Sequence, residues 1–220
     1  AFHRAFYNSE YDITELSFSR FMARYSENTV ASAIIPVFPS RAFRHGALFV
    51  RDDRGIETPE DLKGKTIGLF DFEMTAALVA RGMLNDEHQI LASDINWVVG
   101  AVEDASDHIP QGDTNNKLKG VNISPVPNGC SLNSLLADGQ IDGIVGLYEP
   151  SCMATGAPVK RLFSDWRTAE QDYFLRTGIF PIMHTVAIRK SLVAENPWIA
   201  RSVYNAFCEA KEIALAELQV

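Results

Sequence analysis

The chain contains 220 residues, of which 46% are hydrophobic and 22% charged, a composition typical of a folded globular protein. The formal net charge of −8 argues against nucleic acid as a partner, because a protein that binds a polyanion is usually basic. No stretch of ~18 uninterrupted apolar residues occurs, so the sequence predicts no membrane span. Three scattered cysteines follow neither a disulfide framework nor a zinc-binding spacing.

Patterns typical of strands and of helices alternate along the chain, and they predict an α/β fold with a largely parallel sheet. Strands are predicted at 11–16, 33–38, 45–50, 65–70, 95–100, 141–147, 159–163 and 183–188. Helices are predicted at 18–25, in a single turn after Thr58, at 74–84, after Ser131, and from Asn196 onward. Segment 101–129 has poor periodicity, and we expect it to be functional, mobile or partly stranded around 121–123.

A basic cluster lies in segment 36–45, PVFPSRAFRH, which contains Arg41, Arg44 and His45 beside two prolines. A guanidinium group can bind a carboxylate through two parallel hydrogen bonds and does not lose its proton. An imidazole changes its charge near neutral pH. The cluster therefore indicates a site for a carboxylate ligand, with a solvated basic loop as the alternative.

Segment 70–75, FDFEMT, lies at a predicted junction from strand to helix, where open α/β sheets bind their ligands. Thr75 and the first amides of the helix could hold a carboxylate or a phosphate. Asp71 and Glu73 would repel an anion there, but either could take a proton from a phenol. The alternative is that Asp71 simply caps the helix.

Two further segments contain side chains that could contact a ligand. His184 interrupts an apolar run, TGIFPIMHT, and acts catalytically only if it faces the same cleft as Arg44; a buried core histidine is the alternative. Ser17 and Ser19 follow a predicted strand, and Ser17 either binds a ligand or caps the next helix. The motifs of nucleotide-binding loops, zinc proteases and serine hydrolases are absent.

The chain resembles the 4,5-dihydroxyphthalate decarboxylase family in strings that cover nearly all of it. These strings are PVFPSRAFRH, FDFEMTAALVARGML, SLNSLLADGQIDGIVGLYEPSC, TGIFPIMHTVAIRK and NPW. The resemblance implies a two-lobed α/β fold of the type II periplasmic-binding-protein kind, with mixed, mostly parallel sheets and the ligand between the lobes. Family chains are longer at both ends, so we expect an initial βαβ portion and terminal helices to be missing here.

The lobes are expected to be joined by two crossings, for which the polar segments 51–55 and 169–177 are the candidates. On this division, residues 1–51 and 177–220 form lobe I, and residues 52–176 form lobe II. A lobe built from both ends of the chain is what the resemblance implies.

The resemblance implies a carboxy-lyase that converts 4,5-dihydroxyphthalate to protocatechuate and CO2 during phthalate degradation, and it implies a cytoplasmic location. Our hypothesis assigns Arg41 and Arg44 to the substrate carboxylates. Their expected hydrogen-bonding companions are Ser17, Ser19 and Thr75. His184 is the leading proton donor, His45 the second candidate, and Glu73 the group that handles the phenol.

The main alternative is a non-catalytic, periplasmic solute-binding protein of the same fold, which delivers a carboxylate to an ABC transporter. Such a protein needs only the arginines, the hydroxyls and a hinge. We expect a small aromatic carboxylate as the partner and no cofactor, and a homo-oligomer is left open. The one combination that could surround a divalent ion is Glu73, His45 and His184.

Overall fold

The structure is a computed structural model that describes residues 4–5, 10–105 and 119–218. In chain order, the strands are β1 Ile13–Ser17, β2 Ser32–Ile35, β3 Leu48–Arg51, β4 Thr66–Leu69, β5 Asn96–Val99, β6 Asn122–Pro125, β7 Gly143–Val145, β8 Val159–Arg161 and β9 His184–Arg189. The helices are α1 Phe18–Ser26, α2 Thr75–His88, α3 Leu132–Ala137, α4 Ser151–Ala154, α5 Trp166–Thr177, α6 Lys190–Glu195 and α7 Ile199–Glu217.

The chain folds as two compact units: unit 1 is Ala1–Ala42 with Ile182–Val220, and unit 2 is Phe43–Pro181. The boundaries therefore differ from the predicted ones, because residues 43–51 and 177–181 belong to unit 2. The physical reason at the first boundary is β3, which pairs with β7 on one side and β8 on the other. A strand that is hydrogen-bonded along both edges is part of the sheet that it joins.

Unit 1 contains a three-stranded antiparallel sheet in the order β1-β9-β2. Side chains alternate between the two faces of a strand, so β9 contributes to a core on each side. Ala187 packs with Leu16 and Phe21 on one face. Val186 and Ile188 pack on the other face against side chains of α6 and α7.

Unit 2 contains a six-stranded mixed sheet in the order β6-β5-β4-β7-β3-β8. Strands β6, β5, β4 and β7 run parallel to one another, whereas β3 pairs antiparallel with β7 and β8. The prediction of an α/β fold with a mostly parallel sheet is confirmed in this unit; the sheet of unit 1 is antiparallel. The predicted strand around 121–123 is also confirmed by β6, while residues 106–118 of that segment lie outside the described residues.

The order of strands in unit 2 creates a switch point between β4 and β7. The chain leaves β4, passes through α2 and returns as β5 on one side of β4, while β7 occupies the other side. In open α/β sheets, ligands bind beyond the carboxyl ends of the strands at such a point. The fold therefore marks the region just after Leu69 and Val145 as a place for a ligand.

The segment 169–177, for which a crossing was predicted, lies within unit 2 as part of helix α5, which begins after Asp165. Asp165 caps the helix, since its carboxylate accepts a hydrogen bond from the Thr168 amide at 3.3 Å. Polar side chains interrupt the apolar ones in its sequence, WRTAEQDYFLRT, so the helix lacks the continuous apolar stripe by which a helix is recognised in a sequence. The other predicted crossing, 51–55, is mostly a 3₁₀ turn (Asp52–Arg54) within unit 2. Among the described residues, none of the helices has the length and apolarity that crossing a membrane requires.

Candidate functional site

The last residue of β1 and the first residue of β9 lie side by side in unit 1. They are at one end of the strands of its sheet, which we call the sheet edge. Ser17 is directly opposite His184 in the antiparallel register. The next amide along, that of Phe18, donates to the carbonyl of Met183 at 3.0 Å. The sheet therefore places the predicted proton donor beside one of the predicted hydroxyl groups, although the two are far apart in the sequence.

Arg41 joins the same edge from a third segment of unit 1. It forms an isolated antiparallel bridge with Ile182, two residues before His184. The carbonyl of the preceding residue, Ser40, accepts from the amides of Met183 at 2.9 Å and His184 at 3.3 Å. Two amides sharing one acceptor is the pattern of a β-bulge, a feature that re-aims side chains next to active sites. Backbone pairing thus brings Arg41 close to His184.

Glu15 is a further residue of this edge, which the sequence did not single out as a candidate. Its carboxylate oxygen Oε1 lies 2.6 Å from Nδ1 of His184. The His184 side chain is 28% exposed and that of Glu15 is 44% exposed, so the imidazole remains accessible. The sequence does show that Glu15 lies two residues before Ser17, and hence on the same face of a strand. That Glu15 contacts His184 follows only from the strand register.

Helix α1 begins at the same edge, with Ser17 as its N-cap residue. The side chain of Ser17 does not bond to the first-turn amides, and the first turn, which contains Ser19, has no acidic side chain. The partial positive charge at a helix N-terminus favours an anion. Beside it, the guanidinium carbon of Arg41 lies 5.5 Å from the ring centre of Phe38. The edge therefore combines positive charge, hydroxyl groups and an imidazole.

Arg44 belongs to unit 2, although it is only three residues from Arg41. It is half-buried, and its Nε atom is buried without a hydrogen-bond partner among the described residues. Burial lowers the pKa of the Arg44 guanidinium, and the nearby carboxylate of Glu170 opposes that shift. The predicted pair of arginines is thus divided between the two units, and a carboxylate-binding role for Arg44 stays a prediction.

His45 also lies in unit 2, where it is only 2% exposed. Its ring meets the rings of Phe163 and Tyr173 edge to face, at 5.2 Å and 5.4 Å between centroids. Its Nε2 atom is 3.5 Å from a carboxylate oxygen of Glu87. This is the setting of a core histidine, so the structure favours a packing role for His45 over a catalytic one.

The burial of His45 predicts a pH dependence of stability. Burial lowers its pKa from the ordinary value of 6.5, against the opposing influence of Glu87 and Glu170 and with a small lowering by His88. The unfolded chain then binds a proton that the folded chain does not, so the free energy of unfolding falls as the pH drops through 6.5 toward the lowered pKa. We expect His45→Gln to weaken this dependence.

Urea unfolding at about pH 7.5 and about pH 5.5 measures this effect, because the two values lie on either side of the ordinary histidine pKa. The matched control is His88→Gln, which removes a neighbouring imidazole but keeps His45. An equal loss of stability on acidification in His45→Gln and in the unchanged protein would contradict the prediction.

The predicted 70–75 site lies just after β4 in unit 2. Thr75 is the first residue of α2 and is buried, whereas Glu73 is exposed. The carboxylate of Asp71 accepts from the Glu73 amide at 2.9 Å. Asp71 therefore orders the turn before the helix, whose N-cap residue is Met74. The roles assigned to Thr75 and Glu73 stay predictions.

A cavity of about 320 Å³ opens at the switch point of unit 2. It is lined by Phe70, Met74, Val102, Glu103, Val145, Leu147 and Tyr148. The Glu103 carboxylate accepts from the hydroxyl of Ser151 at 2.5 Å and from its amide at 3.1 Å. The cavity is mostly apolar with few polar groups, as small-molecule sites commonly are. Within the part of the chain that the structure describes, no three His, Cys, Asp or Glu side chains are grouped as a metal ion requires.

Comparisons with known structures show which fold this protein has. The periplasmic aliphatic sulphonate-binding protein SsuA from Escherichia coli superposes with a TM-score of 0.56 at 13% identity, covering 98% of this chain and 60% of that one. SsuA from Xanthomonas axonopodis pv. citri gives a TM-score of 0.56 at 12% identity, covering 94% and 58%. At these identities the likeness shows the fold, which is that of the periplasmic binding proteins.

Sequence relatives define the family more narrowly. A 4,5-dihydroxyphthalate decarboxylase from Comamonas testosteroni is 43% identical over 221 residues, which cover 99% of this chain and 66% of that protein. One from Pseudomonas putida is 37% identical over 180 residues, covering 79% and 67%. Residues 43–115 match the family described as NMT1/THI5 like. The chain belongs to the 4,5-dihydroxyphthalate decarboxylase family, and it spans about two thirds of the length of these relatives.

Proposed function

We propose that this protein removes one carboxyl group from 4,5-dihydroxyphthalate, yielding protocatechuate and CO2. The names of its relatives support this reaction. The observation that carries the proposal is the contact of 2.6 Å between His184 and Glu15, at a sheet edge that also holds Arg41 and Ser17. A binding protein needs the cation and the hydroxyl but has little use for an accessible imidazole paired with a carboxylate.

The substrate itself defines what the protein must supply. Each carboxylate of 4,5-dihydroxyphthalate lies para to a hydroxyl group, so a proton added to the ring carbon that bears the leaving carboxylate gives a dienone once the para hydroxyl loses its proton. The C–C bond to the carboxylate then breaks, its electron pair restores the aromatic ring, and CO2 departs. The reaction therefore needs a proton donor above the ring, a base that takes the proton of the para hydroxyl, and a fixed positive charge for the carboxylate that stays.

Unit 1 contains groups suited to the first and the third of these tasks, and the base at the para hydroxyl is assigned to Glu73 of unit 2. We assign the proton transfer to His184, because its side chain is 28% exposed and its Nδ1 atom lies 2.6 Å from Oε1 of Glu15. Arg41, the hydroxyls of Ser17 and Ser19, and the start of α1 are suited to hold a carboxylate. The proposal also assigns Arg44, Thr75 and Glu73 to the same substrate, and each of these assignments needs its own variant. A cytoplasmic location is likewise proposed.

The test of this function is turnover by the intact protein. We expect CO2 and protocatechuate to appear in equal amounts when 4,5-dihydroxyphthalate is added. The control ligand is phthalate, which carries both carboxylates but lacks the para oxygen that stabilises the intermediate, and we expect it to bind without reacting.

The binding-protein alternative gives a different result in the same experiment. If 4,5-dihydroxyphthalate binds and no CO2 is released, the protein is a carboxylate-binding protein and the proposed function is wrong. Release of CO2 from phthalate at an equal rate would contradict the mechanism, because that reaction cannot use a para hydroxyl.

A further inference from the structure

Glu15 carries a carboxylate whose role the proposed function leaves open. It projects from β1, two residues before Ser17, and contacts His184 at the first residue of β9. We infer that Glu15 is a positioning residue for His184, an inference that rests on the proposed function. Its carboxylate holds a proton on Nδ1, so that Nε2 is the atom that exchanges a proton with the substrate.

The chemistry of the two groups sets the direction of this hydrogen bond. An ionised carboxylate can only accept, so at 2.6 Å the Nδ1–H of His184 is the donor. A neutral imidazole has a single N–H, and a neutral histidine in water prefers to carry it on Nε2. Glu15 therefore selects the opposite tautomer, in which Nε2 has a lone pair.

This selection matters at each step of proton transfer. In the charged imidazole, the Nε2–H bond breaks as a C–H bond forms on the substrate ring, and the electron pair stays on Nε2. The C–C bond to the leaving carboxylate then breaks and returns its pair to the ring. Glu15 keeps the Nδ1 proton in place throughout. The next proton, which the ring takes from water, is therefore bound at Nε2, the atom that donates it to the substrate.

The surroundings of the pair support positioning rather than stabilisation. His184 is fixed by its backbone, which pairs with Ser17 on one side and bonds to the Ser40 carbonyl on the other. Its side chain is not buried, and an ion pair between partly exposed groups contributes little to folding. The measurable consequence of the contact is therefore the orientation and tautomer of the ring.

We expect Glu15→Ala to lower kcat by about 10- to 100-fold. We expect KM to change by less than about threefold, because the proposed carboxylate-binding groups remain. The matched control is Asp12→Ala, which removes a carboxylate paired with Arg189 at 2.6 Å across the same two strands, at the opposite end. We expect this control to keep its activity.

A second comparison separates positioning from an independent effect. If Glu15 acts through His184, the double variant Glu15→Ala/His184→Gln turns over as slowly as His184→Gln alone. A further loss in the double variant, or an equal loss in Asp12→Ala, would overturn the inference.

The tautomer can be measured without turnover, by ¹⁵N NMR of the two ring nitrogens of His184 at a pH where the ring is neutral. We expect the proton on Nδ1 in the unchanged protein and mainly on Nε2 in Glu15→Ala. Finding it on Nε2 in both proteins would refute the positioning role even if the protein is an active decarboxylase. Finding the expected tautomers in a protein that releases no CO2 would instead refute the proposed function and leave Glu15 as the group that sets the tautomer.

Discussion

Replacing His184 by Gln should slow the decarboxylation of 4,5-dihydroxyphthalate by about 100- to 10,000-fold, the contribution typical of a general acid. Gln keeps a polar side chain of similar length but cannot deliver a proton from a charged ring. Because Arg41 and the start of α1 are unchanged, the substrate should still bind with a KM within about threefold of the original value. Steady-state measurement of CO2 release gives both constants.

A second histidine offers a matched control for this variant. His88 is paired with Glu60 at 3.1 Å in unit 2, so His88→Gln also removes an imidazole from a carboxylate. We expect His88→Gln to keep its activity. If His184→Gln turns over as fast as the unchanged protein, His184 is not the proton donor and the proposed mechanism fails.

The largest effect on stability is expected from Gly143→Ala in β7. A Cβ atom built on Gly143 would lie 2.6 Å from the backbone oxygen of Phe49, and 3.1 Å from side-chain atoms of both Ile67 and Val50. The side chains could give way, but the oxygen belongs to β3, which is held between β7 and β8. We expect a loss of about 3 kcal/mol in the free energy of unfolding, the upper end of the usual cost of overpacking.

Gly82 in α2 provides the opposite case for comparison. A Cβ atom built there meets nothing within 4 Å, and alanine favours the helix, so Gly82→Ala should raise the free energy of unfolding by about 0.5–1 kcal/mol. Urea unfolding followed by tryptophan fluorescence measures both variants, since Trp97 is buried in the sheet of unit 2. A Gly143→Ala protein as stable as the original would show that β3 and β7 separate at little cost.

Most strands and the longer apolar helices could be predicted because their signals are local. Trp97 and its neighbours form a short apolar run, and β5 lies within the predicted range 95–100. Ser131 was a recognisable cap, and its side chain does accept from the Ser134 amide at 3.1 Å. Helix α5 was not predicted, because polar side chains interrupt its apolar ones and leave no continuous apolar face.

For the candidate site too, local sequence patterns reveal some features and not others. The residue types that suit a carboxylate and a proton transfer were visible in the sequence, because Arg41, Ser17 and His184 interrupt apolar segments. Their partners were not visible, because the register of β1 against β9 decides which side chain stands beside His184. Glu15 is 169 positions away along the chain, a separation at which no local pattern reports contact.

The amino-acid sequence by itself determined the class of fold, the family and the types of group available for chemistry, since periodicity, caps and family strings are all carried by neighbouring residues. Only the tertiary structure decided which of those groups lie close together. Strand pairing gathered Glu15, Ser17, Arg41 and His184 in unit 1. The boundary after Ala42 assigned Arg44 and His45 to unit 2, where packing buried His45. Pairing and burial depend on contacts between distant segments, and a short stretch of sequence does not contain them.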